Sequence, residues 1–399
     1  VRFTDFHAAP MCTPARGQLM TGVDALRNGA MNVSSGRTLL RREFPTLPEL
    51  LRGAGYATGH FGKWHLGDNH PFRPHDRGFD HAVWFPSSHI GSVPDHWQNN
   101  YQDDTYWVNG ARRKFAGYTT EVFFGEAMTW MKRQRDAGQP FFCYLATAAP
   151  HGPLHIDPKY REAVRPRLEA ARGGLPKLEP GVRESLGKFL GMIENIDENV
   201  GRLEAFLTRE GLRENTVFVY LTDNGSTMGF RYFNAGMKGA KVSLWEGGHR
   251  VPLFVRWPAG GLGRPRDERT LAQVQDLLPT VLDLCGAKAP PTARFDGRSL
   301  GPLLRGQSVE WADRKLVIHY SRMPQTTNVA TPEAASIPRP EGAAVLWQRW
   351  RWLENRSLYD LTADPLQERD VAAQHPEVVA QMKAHLARWW DGVKDRVNE

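Results

Sequence analysis

Residues 184–225 read ESLGKFLGMIENIDENVGRLEAFLTREGLRENTVFVYLTDNG. Leu186, Phe189, Leu190, Ile193, Ile196, Val200 and Leu203 recur at three- and four-residue spacing, which predicts a long amphipathic helix over 184–209. The short β-branched run Thr216-Val-Phe-Val-Tyr-Leu-Thr222 then reads as a strand, and Asp223-Asn224-Gly225 ends it in turn chemistry. A helix that feeds a strand and stops in a polar turn is the repeating step of an α/β fold.

The same step recurs on either side. Upstream, a helical pattern over 121–135 leads into the apolar strand Phe141 to Thr147, and Ala57 to Phe61 reads as a strand after a helical run over 47–52. Downstream, Leu253 to Trp257 reads as a strand and Leu271 to Leu284 as a helix. This alternation predicts a mostly parallel sheet sandwiched by helices. The pattern changes near residue 305. Leu316 to Tyr320, Ala344 to Leu353 and Ser357 to Leu361 read as strands with no helix between them, and a last helix runs from about Pro376 to Trp390. A small antiparallel sheet with one helix is expected there, giving a larger first domain over 1–305 and a C-terminal subdomain over 306–399. The stretch from Met323 to Pro340 reads as a long loop.

The bulk numbers set limits. With 399 residues the chain exceeds one compact core. The net charge of +7 fits an ordinary mildly basic protein first, with a bias toward anionic substrates as the second reading. No dense Lys/Arg run interleaved with aromatics marks a nucleic-acid surface, and no apolar run reaches bilayer length. Three cysteines rule out a disulfide framework. Cys143 and Cys285 sit in apolar strand and helix patterns and read as packing.

Cys12 has other neighbours. In Cys12-Thr-Pro-Ala-Arg16, Pro14 suits the first turn of a helix and Gly22 its end. Cys12 would then precede a helix N-terminus, where the dipole favours anions, with Arg16 one turn on. Chance supplies Cys-x-Pro-x-Arg on the order of once in 10⁴ positions. Further segments accompany it. In Gly55 to Gly67, Lys63 and His65 alternate, so an extended backbone turns both to one face. Ala149-Pro-His-Gly-Pro153 follows a strand and holds His151 between prolines, and functional groups gather beyond strand carboxyl ends in open α/β sheets. Asp223 and Asn224 offer oxygen ligands to a hard cation. Lys241 precedes Glu246-Gly-Gly248, a tight turn, with Glu246 and Arg250 in structural contacts. Each segment alone is compatible with an ordinary turn or surface loop. Phe85, His89, Trp97, Tyr101 and Tyr106 lie between Trp84 and Trp107, as packing for most and a pocket rim as the alternative.

Taken in order, the five segments resemble the type I sulfatases of the alkaline-phosphatase-like superfamily. Ser357 to Pro365 is similar to that family's C-terminal subdomain. Ala15 stands where Ser is commoner. The resemblance implies that Cys12 is oxidised to formylglycine by a maturation enzyme and hydrated to a gem-diol. Attack on sulfur leaves a hemiacetal sulfate, and the second hydroxyl then expels sulfate by C–O cleavage and restores the aldehyde. It implies that Arg16 stabilises the modified residue and that Lys63 and Lys241 bind sulfate oxygens. His65 would take the gem-diol proton and His151 protonate the leaving oxygen. Asp223 and Asn224 would coordinate a divalent cation, Ca²⁺ first and Mg²⁺ second. The substrate would be an aryl or carbohydrate sulfate, and the location periplasmic or extracellular. The family draws two further metal-binding aspartates from a strand that would lie upstream of Val1. The chain as written is therefore expected to bind metal weakly and to be inactive, and the complete gene product to be active. Two other readings remain: a phosphodiesterase or phosphonate monoester hydrolase of the same superfamily, and a non-catalytic binding relative.

Overall fold

A computed structural model describes residues 1–33, 38–170, 178–311, 313–319 and 338–397. Tyr320 and most of the 323–340 loop lie outside the described residues. The chain forms two compact units, one of Val1–Phe44, Val217–Thr227 and Asn234–Glu399, the other of Pro45–Thr216 and Met228–Phe233. No helix among the described residues is long and apolar enough to cross a membrane.

In the first unit a four-stranded sheet runs Asp267–Glu268, Arg2–Phe3, Leu253–Arg256, Phe218–Leu221. Its directions are mixed. Arg2–Phe3 is parallel to Asp267–Glu268 but antiparallel to Leu253–Arg256, which is antiparallel to Phe218–Leu221. Strand alternation divides the two faces. Val255 and Leu253 enter a core with Phe3, Phe6, Ala15, Leu277 and Leu300, with Val219 and Leu221 packed against it. Their neighbours Tyr220 and Phe254 pair across the strands on the opposite face.

The C-terminal part of this unit is an antiparallel meander of Lys315–His319, Ala343–Trp347, Trp350–Leu353 and Ser357–Asp360. Val317, Val345, Trp352 and Leu358 pack on Val378, Met382 and Leu386 of the helix Pro376–Asp391. Leu316, Ile318, Ala344 and Leu346 bury the other face with Leu244. The stretch expected as one strand over 344–353 is a hairpin, turning at Gln348 and Arg349, with Gln348 at φ 48°. Such a two-residue turn normally announces itself with Asn or Gly, and here neither is present.

In the second unit the sheet order is Ala111–Lys114, Thr105–Val108, His81–Phe85, Ala57–Lys63, Phe141–Ala146. Ala57–Lys63 runs parallel to both neighbours, and Thr105–Val108 and Ala111–Lys114 return antiparallel. Phe61, Phe79, Trp84, Phe85, Phe123 and Trp130 are buried around it. The long helix spans Pro180–Arg209. Its buried line runs through Leu186, Phe189, Met192, Asn195, Asn199 and Leu203, whereas Ile193 is exposed. Asn199 is accommodated by donating to the Asn195 carbonyl at 2.8 Å, and Asn195 by donating to Glu121 at 3.2 Å.

The mostly parallel sheet is thus corrected to mixed sheets. The physical reason lies in the connections. A parallel neighbour needs a crossover, usually a helix. Between Phe218–Leu221 and Leu253–Arg256 the regular structure is one three-residue and one four-residue helical turn, so the chain returns antiparallel. The 271–284 helix is corrected as well. It begins at Leu277, because Ala272–Gln273 pairs in parallel with Phe6–His7.

Candidate active site

Cys12 is the first residue of the helix Cys12–Thr21, one position further in than expected, and Gly22 closes that helix at φ 67°. Cys12 is 3% exposed, and the Lys241 ammonium donates to its sulfur at 3.1 Å. One turn on, Arg16 Nε and a terminal guanidinium nitrogen both lie 2.9 Å from Asp223 Oδ2. The Cys-x-Pro-x-Arg segment and the Asp-Asn turn, 207 residues apart, therefore meet in the first unit.

Glycine lets the Asp-Asn turn pack closely on the loop that carries Lys241. A Cβ on Gly225 would lie 2.0 Å from the Gly247 carbonyl oxygen, and one on Gly248 would lie 2.1 Å from that of Ser243. A side chain at Gly225 would push the Asp-Asn turn away from the Lys241 loop, and one at Gly248 would clash within that loop. Lys241 is held from both sides: its own amide donates to Ser226 O at 3.1 Å, and the next amide, Val242, to Pro10 O at 3.0 Å. Asn224 turns its amide nitrogen to Gly225 O, which leaves Oδ1 buried with no hydrogen-bond partner. An orphaned oxygen beside a carboxylate fits a hard cation, since desolvating an acceptor without a partner costs about 1–3 kcal/mol.

The second unit carries Lys63, His65 and His151. Lys63 ends its strand and His65 follows it; both are 3% exposed. His65 has φ 60°, so the chain leaves the extended conformation and strict alternation does not aim it. Between them Trp64 is fully buried and its indole donates to Phe72 O at 2.8 Å. The strand preceding His151, Phe141–Ala146, is parallel to Ala57–Lys63, with Gly62 opposite Ala146. Lys63 and the segment leading to His151 therefore leave the same end of one sheet. His151 Nδ1 lies 2.9 Å from Gly152 O, and since a carbonyl only accepts, that nitrogen carries a proton. Tyr101 donates to the His151 carbonyl at 2.7 Å, and the His151 ring stacks on His89 with centroids 5.1 Å apart.

Of the aromatic set between Trp84 and Trp107, Phe85, Tyr101 and Tyr106 are buried packing, and Trp97 is 84% exposed. Cys143 and Cys285 form no disulfide, and burial pushes the Cys143 thiol up to about 12.

One group has no signal in the sequence as a group, although Glu246 reads there as making structural contacts. His7, Glu246 and His249 are buried, and their ligand atoms lie within 4.8 Å of one another, a donor set able to hold a divalent metal. They also belong to a hydrogen-bonded network. The two Nδ1 atoms of His7 and His249 face each other at 2.9 Å, His7 Nε2 meets Asp5 at 2.9 Å, and His249 Nε2 meets Leu244 O at 3.1 Å. Arg351 donates to Glu246 at 2.7 Å and to Asp5 at 3.0 Å. Burial opposes ionisation of Glu246, but the Arg351 charge outweighs it and holds the carboxyl at about 2. Burial pushes His249 down to about 3. His7 and His249 are 242 residues apart, and no local spacing announces the pair.

Mixed α/β sheets and a small antiparallel C-terminal sheet with its helix make up an α/β alkaline-phosphatase-like sandwich, in which a helix-borne Cys-x-Pro-x-Arg is set against an Asp-Asn turn. The chain belongs to the sulfatase family: the Sulfatase family model matches residues 1–287, and the model of the N-sulphoglucosamine sulphohydrolase C-terminal region matches 239–391. It is 30% identical over 351 residues to arylsulfatase G of Mus musculus, covering 77% of this chain and 62% of that protein. It is 30% identical over 328 residues to N-acetylgalactosamine-6-sulfatase of Canis lupus familiaris, covering 76% and 59%. The chain thus spans about three fifths of the length of these curated relatives. A crystal structure of Ps i-CgsB in complex with k-i-k-neocarrahexaose shares the fold, with a TM-score of 0.80 and 24% identity over 97% of this chain and 84% of that one.

Proposed function

We propose that this protein hydrolyses sulfate esters to an alcohol and inorganic sulfate, with Cys12, oxidised to formylglycine by a maturation enzyme, as the nucleophile. The observation that carries this reading is the meeting of three sequence-distant segments at Cys12. Lys241 lies 3.1 Å from its sulfur, and Arg16 of the same helix pairs with Asp223. Cationic donors fixed around a helix N-terminus suit an anionic reacting group.

In this reading Arg16 stabilises the modified residue, and Lys63 and Lys241 bind sulfate oxygens. His65 takes the proton of the hydrated aldehyde as sulfate is expelled. His151 protonates the leaving oxygen through Nε2, its Nδ1 being engaged by Gly152. Asp223 and Asn224 hold a divalent cation, Ca²⁺ ahead of Mg²⁺, and the buried, unpartnered Asn224 Oδ1 supports that assignment. Such a cation, when bound, polarises a sulfate oxygen. The relatives named for N-acetylgalactosamine 6-sulfate and the structure holding a neocarrahexaose favour a sulfated carbohydrate as substrate. A periplasmic or extracellular location rests on the resemblance and is checked by fractionation of the native host.

The full-length protein, coexpressed with a formylglycine-generating enzyme, is expected to turn over p-nitrophenyl sulfate faster than a p-nitrophenyl phosphonate ester. The reverse order would move it to the phosphonate hydrolases. Peptide mass spectrometry should find an aldehyde at position 12; an active preparation with an intact thiol there would remove the proposed nucleophile.

A further inference from the structure

The loop after the strand His81–Phe85 carries a residue that the proposed chemistry does not use. His89 lies against His151 with ring planes 17° apart and centroids at 5.1 Å, which is the geometry of an offset stack. The Ser88 hydroxyl is 2.6 Å from His89 Nδ1. A hydroxyl that donates there satisfies the neutral ring and places its one proton on Nε2. The loop is not slack. Asp95 accepts from the Gly91 and His96 amides at 2.8 Å, and Asp104 accepts from those of Asn100 and Tyr101 at 2.8 and 2.9 Å. Tyr101, 0% exposed, returns from that loop to the His151 carbonyl at 2.7 Å. His151 is thus held at its main chain by Tyr101, at Nδ1 by Gly152 and on its ring face by His89.

We infer that His89 is a positioning residue: a plate against the His151 ring that fixes the direction of Nε2, the nitrogen through which the imidazolium form delivers a proton in the proposed reaction. The inference rests on the sulfatase reading, in which His151 is the general acid. Its chemical consequence is specific. When the S–O bond to the leaving group breaks, the departing oxygen takes the electron pair. A nitrophenolate carries that charge unaided, whereas a more basic phenolate or an alkoxide needs the proton from His151 as the bond breaks. Misaiming Nε2 therefore harms poor leaving groups and spares good ones.

The test is a leaving-group series of p-nitrophenyl, phenyl and p-methoxyphenyl sulfates on the full-length, matured protein. His89→Ala is expected to lose about threefold in kcat/KM on the nitrophenyl ester and on the order of 10²-fold on the methoxyphenyl ester. His89→Phe keeps a flat ring and should recover most of that loss. His151→Ala is run beside them. If it shows no leaving-group dependence, the general-acid reading fails and this inference fails with it. If His151→Ala is selective but His89→Ala slows all three esters equally, or if Phe is no better than Ala while melting as the wild type does, the positioning role alone is overturned.

Discussion

Two polar clusters in the first unit are built from similar residues and end in opposite states. Around Arg351, each ring nitrogen of His7 and His249 meets a protein atom, and Glu246 and Asp5 meet guanidinium groups. Glu246, His7, His249 and Arg351 are at most 1% exposed. Around Cys12, by contrast, Asp223 keeps 28% of its side chain exposed and Asn224 Oδ1 has no partner. Buried charge is tolerated when it is matched inside the protein. An unmatched acceptor at the end of a strand is instead a cost that a ligand can remove. The first cluster is matched within the protein, and its triad is also a donor set able to hold a metal; the second is more open and is the one the proposed function uses.

That contrast can be broken at several points. In the full-length protein, Cys12→Ala should lower kcat/KM on p-nitrophenyl sulfate by roughly 10⁴-fold or more and leave the melting temperature nearly unchanged. A variant that unfolds instead would make the open cluster structural. Arg351→Met strands Glu246 and Asp5 in the interior. Urea unfolding should then show a loss of about 3–5 kcal/mol, the range for breaking a buried ion pair. Asn224→Ala removes one oxygen ligand and should weaken Ca²⁺ binding about tenfold or more, or about 1.4 kcal/mol, in a calorimetric titration. His249→Gln should leave that titration unaltered; if it abolishes binding while Asn224→Ala does not, the His7–Glu246–His249 triad is the metal centre and the two clusters exchange roles.

The smallest expected effect is in acid. His249 is held at about 3 in the fold against an ordinary value of 6.5, so between those values the unfolded chain binds the proton that the folded chain refuses. Stability is complete above 6.5 and declines as pH falls through that window. Glu246, held at about 2 against 4.5, has a carboxylate favoured in the fold, and its contribution is lost as pH falls from 4.5 toward 2. Both groups carry the same sign. Thermal melts at pH 7 and pH 5 should differ by a few degrees, lower at pH 5, through His249. Flat melts across that range would show the closed cluster to be less coupled to folding than its geometry implies.

Much of the molecule was legible locally. Pro14 and Gly22 marked the helix Cys12–Thr21, and apolar periodicity marked the helices ending at Asp136, Arg209 and Asp391. The strands at 57, 141, 218 and 253 were marked by short apolar runs. These signals are properties of neighbouring residues, set by backbone sterics and by which face must leave water. Cys12, Arg16, Lys63, His65, His151, Asp223, Asn224 and Lys241 could be nominated only because their short segments, taken together and in order, resemble the sulfatase family.

Pairing across the chain was decided only by tertiary structure. Whether Leu253–Arg256 runs with or against its neighbours depends on what crosses between them, not on its own residues. Asn195 and Asn199 are buried because partners meet them there, and periodicity had assigned that face to Ile193 and Ile196. The turn at Gln348 has no glycine or asparagine to mark it. His7 finds His249, and His89 finds His151, across 242 and 62 residues of sequence. Local propensity acts over a few bonds, and a hydrogen bond or ring stack needs only nearness in space. Composition and spacing therefore determined the elements and nominated candidate residues, and folding alone determined which polar groups were matched and which acceptor kept no partner.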